Sequence, residues 1–187
     1  MNKHTMNKQK PLLLDLHALG RHPGEQLVRH MELPAPPDLA VGMIGVPEGS
    51  PVVMDLTCQS AGDGILVEGT ARVGLRGQCA RCLADFNRDQ TFDLQELYFY
   101  PGRGPEPDEI EDGDDDVNYV EDESVDLDPL LREAIVLSLP FSPLCRPDCA
   151  GLCPVCGADL NENPSHAHEA EKDARWAKLA DLEHPGR

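Results

Sequence analysis

Aromatic residues are scarce in this chain. They make up 4% of its 187 residues, so only a modest core is expected. Apolar residues reach 40%, slightly low for a globular domain. Long apolar runs are lacking as well. The run in PLLLDLHALG is cut by Asp15, and it is too short for a signal peptide or for the roughly 20 residues that cross a bilayer. The N-terminal MNKHTMNKQK is polar and basic. These absences point to a cytoplasmic protein with no membrane contact.

Positive charge is missing from one whole stretch. Glu106 to Asp128 holds 13 acidic residues and no basic one. The net charge is −18, yet the rest of the chain sets 21 acidic residues against 16 basic ones, a net of −5. Such a run repels itself and buries little, so a solvated, disordered loop is expected. It suits docking to a basic partner, and like-charge repulsion argues against its capturing RNA phosphates. Catalytic signatures are also absent. There is no Gly-rich phosphate loop, nucleophile elbow or zinc-protease helix, so a non-enzymatic protein is expected.

What is present is a clear alternation. Val52, Met54, Leu56 and Cys58 form one apolar face, with Val53, Asp55, Thr57 and Gln59 opposite. After the turn residues Ala61 to Gly64, the pattern resumes with Ile65, Val67, Ala71, Val73 and Leu75, broken by Gly69. A period of two predicts a β-hairpin. A further strand is expected from about Arg88 to Tyr100, with Phe92, Leu94, Tyr98 and Tyr100 on one side. Leu12–Leu16 and Glu25–Leu33 are additional strand candidates. The intervening PAPPDLAVGMIGVPEGSP carries five prolines and reads as a turn-rich connection. Together these predict an antiparallel sheet of about four to six strands.

SVDLDPLLREAIVLSLP predicts a helix packed on that sheet. Asp128 suits the N-cap, Pro129 the first helical position, and Pro140 the end; a buried strand over AIVLSLP is the alternative. A short helix running through Trp176, Leu179 and Leu182 is expected after Asn163 or Ser165. The expected organisation is α+β. It comprises a floppy tail (1–10), a sheet region (11–100), an acidic disordered loop (101–125), and a C-terminal part (126–182). That last part holds the helix, a cysteine-rich zinc-binding segment and the short helix, and completes the same domain.

Seven cysteines in a reducing compartment favour metal or redox chemistry over structural disulfides. Zinc takes four soft ligands in a tetrahedron, commonly from turns that each supply a pair. Cys153-Pro-Val-Cys156-Gly157 has this form, as does Cys79-Ala-Arg-Cys82 without the glycine, and Cys145 and Cys149 lie just upstream. Two structural sites are compatible with the spacing. A local loop would use Cys145, Cys149, Cys153 and Cys156, and is favoured because it needs only local closure. A ribbon-like site would join Cys79 and Cys82 to Cys153 and Cys156. Either set closes the coordination shell and makes the metal structural. His166 and His168 read as exposed polar residues rather than ligands, and Cys58 as a core thiol. Arg76, Arg81 and Arg146 lie near the cysteines and have three readings: phosphate contacts, neutralisation of thiolate charge, or simple exposure. The rival chemistry is a thiol–disulfide oxidoreductase or redox sensor built on the CxxC pairs. A redox CxxC normally sits at a helix N-terminus, and neither pair is expected there.

The segments LRGQCARCLADF, LQELYFYPG and VDLDPLLREAIVLSLPFSPLCRPDCAGLCPVCGADLN, in that order, resemble the YceD family, in its actinobacterial form. The resemblance implies a role in large-subunit ribosomal RNA accumulation and ribosome assembly, with no enzymatic activity. It implies partners in the pre-ribosomal large subunit, either a ribosomal protein or a precursor of the large-subunit rRNA.

Overall fold

The computed structural model describes residues 12–105 and 117–168. The expected tail (1–10), most of the acidic loop and the helix through Trp176, Leu179 and Leu182 lie outside the described residues.

The alternating segments form the main sheet. Strands β2 (Gln26–Pro34), β3 (Ala40–Val41), β4 (Ile44–Gly45), β5 (Pro51–Ser60), β6 (Gly64–Gln78) and β7 (Asp85–Phe99) make one antiparallel sheet. The long β6 pairs along its length with β7 on one edge. Its other edge pairs with β5 and then, beyond the end of β5, with β4. The small β3–β4 hairpin therefore arises inside the proline-rich connection, where the sequence suggested only turns.

Register explains why the alternation is so clean. Met31, Met54, Ala71 and Phe92 lie side by side across four strands. Val52, Met54, Leu56 and Cys58 are at most 1% exposed, while Asp55 on the opposite face is exposed. The break in the pattern at Gly69 has a steric cause. Gly69 pairs with Leu56 and Leu94, and a Cβ there would lie 2.1 Å from the Asp55 carbonyl oxygen and 2.9 Å from Leu56 Cα. Only glycine permits the two backbones to approach this closely.

The inner face joins one core with a second layer. Strand β1 (Leu13–Asp15) pairs antiparallel with β8 (Ser124–Asp126). Helix α1 (Asp128–Ser138) follows directly. Leu14, Val125, Leu130, Leu131 and Ile135 are buried in the same core as the sheet residues. An isolated helix of 11 residues is marginal in water. Its docking supplies the stability, at about 1.5–3 kcal/mol for each large apolar side chain buried. Tyr98, 1% exposed, ties the layers together, its hydroxyl donating to the Asp126 carbonyl at 3.0 Å. The helix begins one step differently from expectation. Leu127 occupies the N-cap, and the free Asp128 N–H is met by Asp126 Oδ1 at 3.0 Å. Asp128 pairs instead with Arg132 at 3.3 Å.

Two expectations need refinement. The described residues contain one helix, so the architecture is mainly an antiparallel sheet with a single short helix, looser than α+β suggests. Residues 117–125, assigned to a disordered loop, carry two isolated bridges and the start of β8. Val120 N–H donates to the Phe99 carbonyl and Phe99 N–H to that of Asn118, both at 2.9 Å. Val120 and Val125, both buried, supply the apolar anchors. Among the described residues, no helix is long and apolar enough to cross a membrane.

Candidate metal centre

The β6–β7 hairpin ends in the Cys79–Cys82 turn. Leu83 N–H donates to the Cys79 carbonyl at 2.9 Å, and Cys79 N–H to that of Ala84 at 2.9 Å. Leu83 sits at φ 60° to close this turn. The Cys153–Cys156 turn repeats the geometry: Gly157 N–H donates to the Cys153 carbonyl at 2.8 Å, with Gly157 at φ 75°. One turn thus has the glycine its conformation favours and the other does not. A left-handed residue with a Cβ costs roughly 1–2 kcal/mol, partly offset by glycine's greater unfolded-state entropy. Leu83→Gly, at a side chain 54% exposed, is therefore expected to stabilise the protein by about 0.5–1 kcal/mol. The check is a thermal midpoint raised by about 1–4 °C.

The chain leaving α1 returns to this hairpin end. Ala80 N–H donates to the Pro143 carbonyl at 2.8 Å, Arg81 Nη1 to the Cys149 carbonyl at 2.9 Å, and Leu152 N–H to the Arg81 carbonyl at 3.2 Å. These bonds gather Cys79, Cys82, Cys145 and Cys149, whose Sγ atoms all lie within 4.8 Å of one another. Cys79 and Cys149 are 3.8 Å apart, as are Cys82 and Cys145. A tetrahedral zinc with Zn–S bonds of about 2.3 Å has ligand–ligand edges of about 3.8 Å. A disulfide needs about 2.05 Å, and all seven cysteines are free.

A second group lies further along the chain. Cys153, Cys156, His166 and His168 bring one ligand atom each within the same 4.8 Å limit. Neither set expected from spacing is assembled: Cys145 and Cys149 are separated from Cys153 and Cys156, and Cys79 and Cys82 meet the former pair rather than the latter. The cause is the strap between Cys149 and Cys153. Leu152 pairs on one side with Arg81 and bridges Asp159 on the other, and Leu160 N–H donates to the Gly151 carbonyl at 3.0 Å. The strap is held between two partners, so the cysteines at its two ends serve different groups. His166 and His168, read as exposed polar residues, stand beside Cys156. Cys58 is 0% exposed in the core, and burial pushes its thiol up to about 11.

Burial pushes the Cys79 thiol up, but backbone N–H groups of Cys82, Cys145 and Arg81 outweigh it and bring it down to about 6. Burial and hydrogen bonds to the neighbouring thiols drive Cys145 up to about 12. The protons belong to the cluster as a whole. Four thiols gathered this closely could hold a divalent ion, which takes its cysteine ligands as thiolates.

Asn161 organises the surroundings. Its Oδ1 accepts from Ala150 N–H and Arg146 Nη2, both at 2.8 Å, and its Nδ2 lies 3.6 Å from Cys149 Sγ. Asp159 Oδ1 in turn accepts from the Asn161 N–H at 2.8 Å, which holds the Asp159 carboxyl below the usual range. Sequence reasoning missed this residue, whose only mark was its place in the GADLN end of the cysteine motif. Of the nearby arginines, Arg81 and Arg146 are engaged within the clasp, and Arg76 is exposed.

Comparison with known proteins bears on this region directly. Residues 67–183 match the family model described as large ribosomal RNA subunit accumulation protein YceD. The chain is 39% identical over 172 residues to an uncharacterized protein of Mycobacterium tuberculosis, covering 92% of this chain and 81% of that one. An uncharacterized protein of Bacillus subtilis is 30% identical over 105 residues, 56% of this chain and 58% of the other. A maize protein named large ribosomal RNA subunit accumulation protein YCED homolog 1, chloroplastic, is 34% identical over 61 residues, 29% of this chain and 21% of its own. No solved structure matches. The matched span begins in β6 and takes in β7, α1 and both ligand groups, and on that ground the chain belongs to the YceD family.

Proposed function

We propose that this protein is a non-enzymatic cytoplasmic factor that supports large-subunit ribosomal RNA accumulation during ribosome assembly. The observation that carries the reading is the family match over residues 67–183. The proposed partner is the pre-ribosomal large subunit, engaged through a ribosomal protein or the rRNA precursor. The net charge of −18 favours a basic partner surface. Much of that charge lies in Glu106 to Asp128, which is the segment proposed to meet such a surface.

Within this reading, Cys79, Cys82, Cys145 and Cys149 hold a structural zinc ion. The 3.8 Å spacings and the four-thiolate donor set support that assignment. Such an ion would join the end of the β6–β7 hairpin to the segment after α1, so its work is to fix the fold. The thiol–disulfide alternative gains nothing from the geometry of the Cys79–Cys82 turn. Cys79 is 0% exposed and its turn ends a β-hairpin rather than starting a helix, whereas an attacking thiolate needs access.

The test is a deletion strain complemented with the wild-type chain. The ratio of large- to small-subunit rRNA is expected to fall on deletion and recover on complementation, and a tagged copy is expected to retain large-subunit precursor particles. An unchanged ratio together with a capture free of ribosomal components would sink the reading.

A further inference from the structure

We propose that Cys153, Cys156, His166 and His168 form a second zinc site, separate from the four-thiolate group and more open to exchange. The two sets share no residue, and each supplies four ligand atoms of its own within 4.8 Å of one another. Cys156 Sγ lies 3.1 Å from His166 Nε2 and 3.2 Å from His168 Nε2, and the two Nε2 atoms are 2.9 Å apart. These three atoms make a triangle of lone-pair donors, and Cys153 Sγ stands within 4.8 Å of each as the fourth corner.

Hydrogen bonding alone does not account for the triangle. Two neutral imidazoles and a thiol can satisfy only some of its edges, because each ring Nε2 either donates or accepts. A cation at the centre satisfies every corner at once. Zn–N bonds of 2.0–2.1 Å and Zn–S bonds near 2.3 Å predict edges of about 3.3 Å and 3.6 Å, so the observed triangle is tighter by about 0.4 Å and of the right shape. The rings meet edge to face, at 83° with centroids 4.7 Å apart. That arrangement brings both Nε2 atoms to one point without stacking the rings.

The donor chemistry also distinguishes the site. Two thiolates and two neutral imidazoles balance the charge of a divalent zinc ion, whereas four thiolates leave an excess of two negative charges. Cys156 and His168 are exposed, while Cys79 and Cys149 are buried. All four ligands come from a hook of the chain between residues 153 and 168, so the ion closes only a short local loop. It would pin this hook beside the first group and would be the first to leave when a chelator is added.

The experiment is native mass spectrometry of the full chain purified with zinc, compared with the double variant His166→Ala/His168→Ala and with Cys149→Ser. The wild type is expected to carry two ions per chain and the double variant one. Cobalt substitution gives an independent readout, since thiolate-to-cobalt absorption in the double variant should fall by about the share of two thiolates among six. Circular dichroism of the double variant should match wild type, because both histidines lie outside the core. Two ions in wild type and in the double variant alike would overturn the proposal, as would no bound ion. A single wild-type ion that survives His166→Ala/His168→Ala would overturn it and leave the four-thiolate site standing. A single ion lost in that variant would support it and remove the zinc from the four-thiolate group instead.

Discussion

Cys149→Ser is expected to release the ion proposed for the four-thiolate group and to lower the thermal midpoint by about 8–16 °C. The magnitude follows from linkage. A metal present at about 1,000 times its dissociation constant stabilises the folded state by about 4 kcal/mol, and each kcal/mol is worth about 2–4 °C in a chain of this size. The direction follows from the architecture. Cys149 is 1% exposed and lies 3.8 Å from Cys79 across the contact between the β6–β7 hairpin and the segment after α1. Among the described residues, the long-range bonds across that contact include Ala80 to Pro143, Arg81 to Cys149 and Leu152 to Arg81. Serine nearly conserves volume, so the loss is one of ligation rather than packing. Differential scanning calorimetry with and without chelator provides the check. Wild type stripped of metal should melt close to the variant, and chelator should move the variant much less than the wild type. A wild-type midpoint indifferent to chelator would refute a structural role for metal.

Tyr98→Ala is expected to cost about 3–5 kcal/mol, the range for deleting a buried aromatic ring. Tyr98 reaches from β7 into the layer made by β1, β8 and α1, with its hydroxyl donating to the Asp126 carbonyl. Burial pushes its own ionisation upward, so the phenol stays a neutral donor through the physiological range. Tyr98→Phe separates the two contributions. It keeps the ring and removes one hydrogen bond, at an expected cost of about 1 kcal/mol. Urea unfolding should rank wild type, Tyr98→Phe and Tyr98→Ala in that order of stability. Equal losses in the two variants would show that the ring contributes little and that the hydroxyl carries the junction.

Much of the sheet was legible because strand burial has a period of two. Val52 to Cys58 and Ile65 to Leu75 announce both the strands and the face they bury. Start and stop signals, likewise local, located α1 between Asp128 and Pro140. The period-of-two rule was silent about β3 and β4, whose two-residue strands are too short to show a period. It also passed over β8. In that acidic stretch one apolar residue, Val125, is enough for a three-residue strand once β1 supplies the partner. Composition dominates any local reading of 117–125, while pairing with distant backbone decides its conformation.

The ligand groups show the same division. Residue types and turn spacing suggested metal binding at both CxxC turns, and the order of motifs announced the family. Spacing could not partition the ligands. The favoured local loop has the lowest closure entropy, but closure entropy is one term. The backbone ladder that places Leu152 between Arg81 and Asp159 outweighs it and directs Cys149 and Cys153 to different groups. His166 and His168 looked like exposed polar residues because their partner, Cys156, becomes a neighbour only after the chain reverses at Gly157 and again near Asn163. By itself, then, the order of residues determined the long strands, the helix and the family, all of which depend on near neighbours. Only the tertiary structure decided which thiols and imidazoles lie together, because the first group converges through contacts between residues far apart in the chain and the second through chain reversals that spacing does not show.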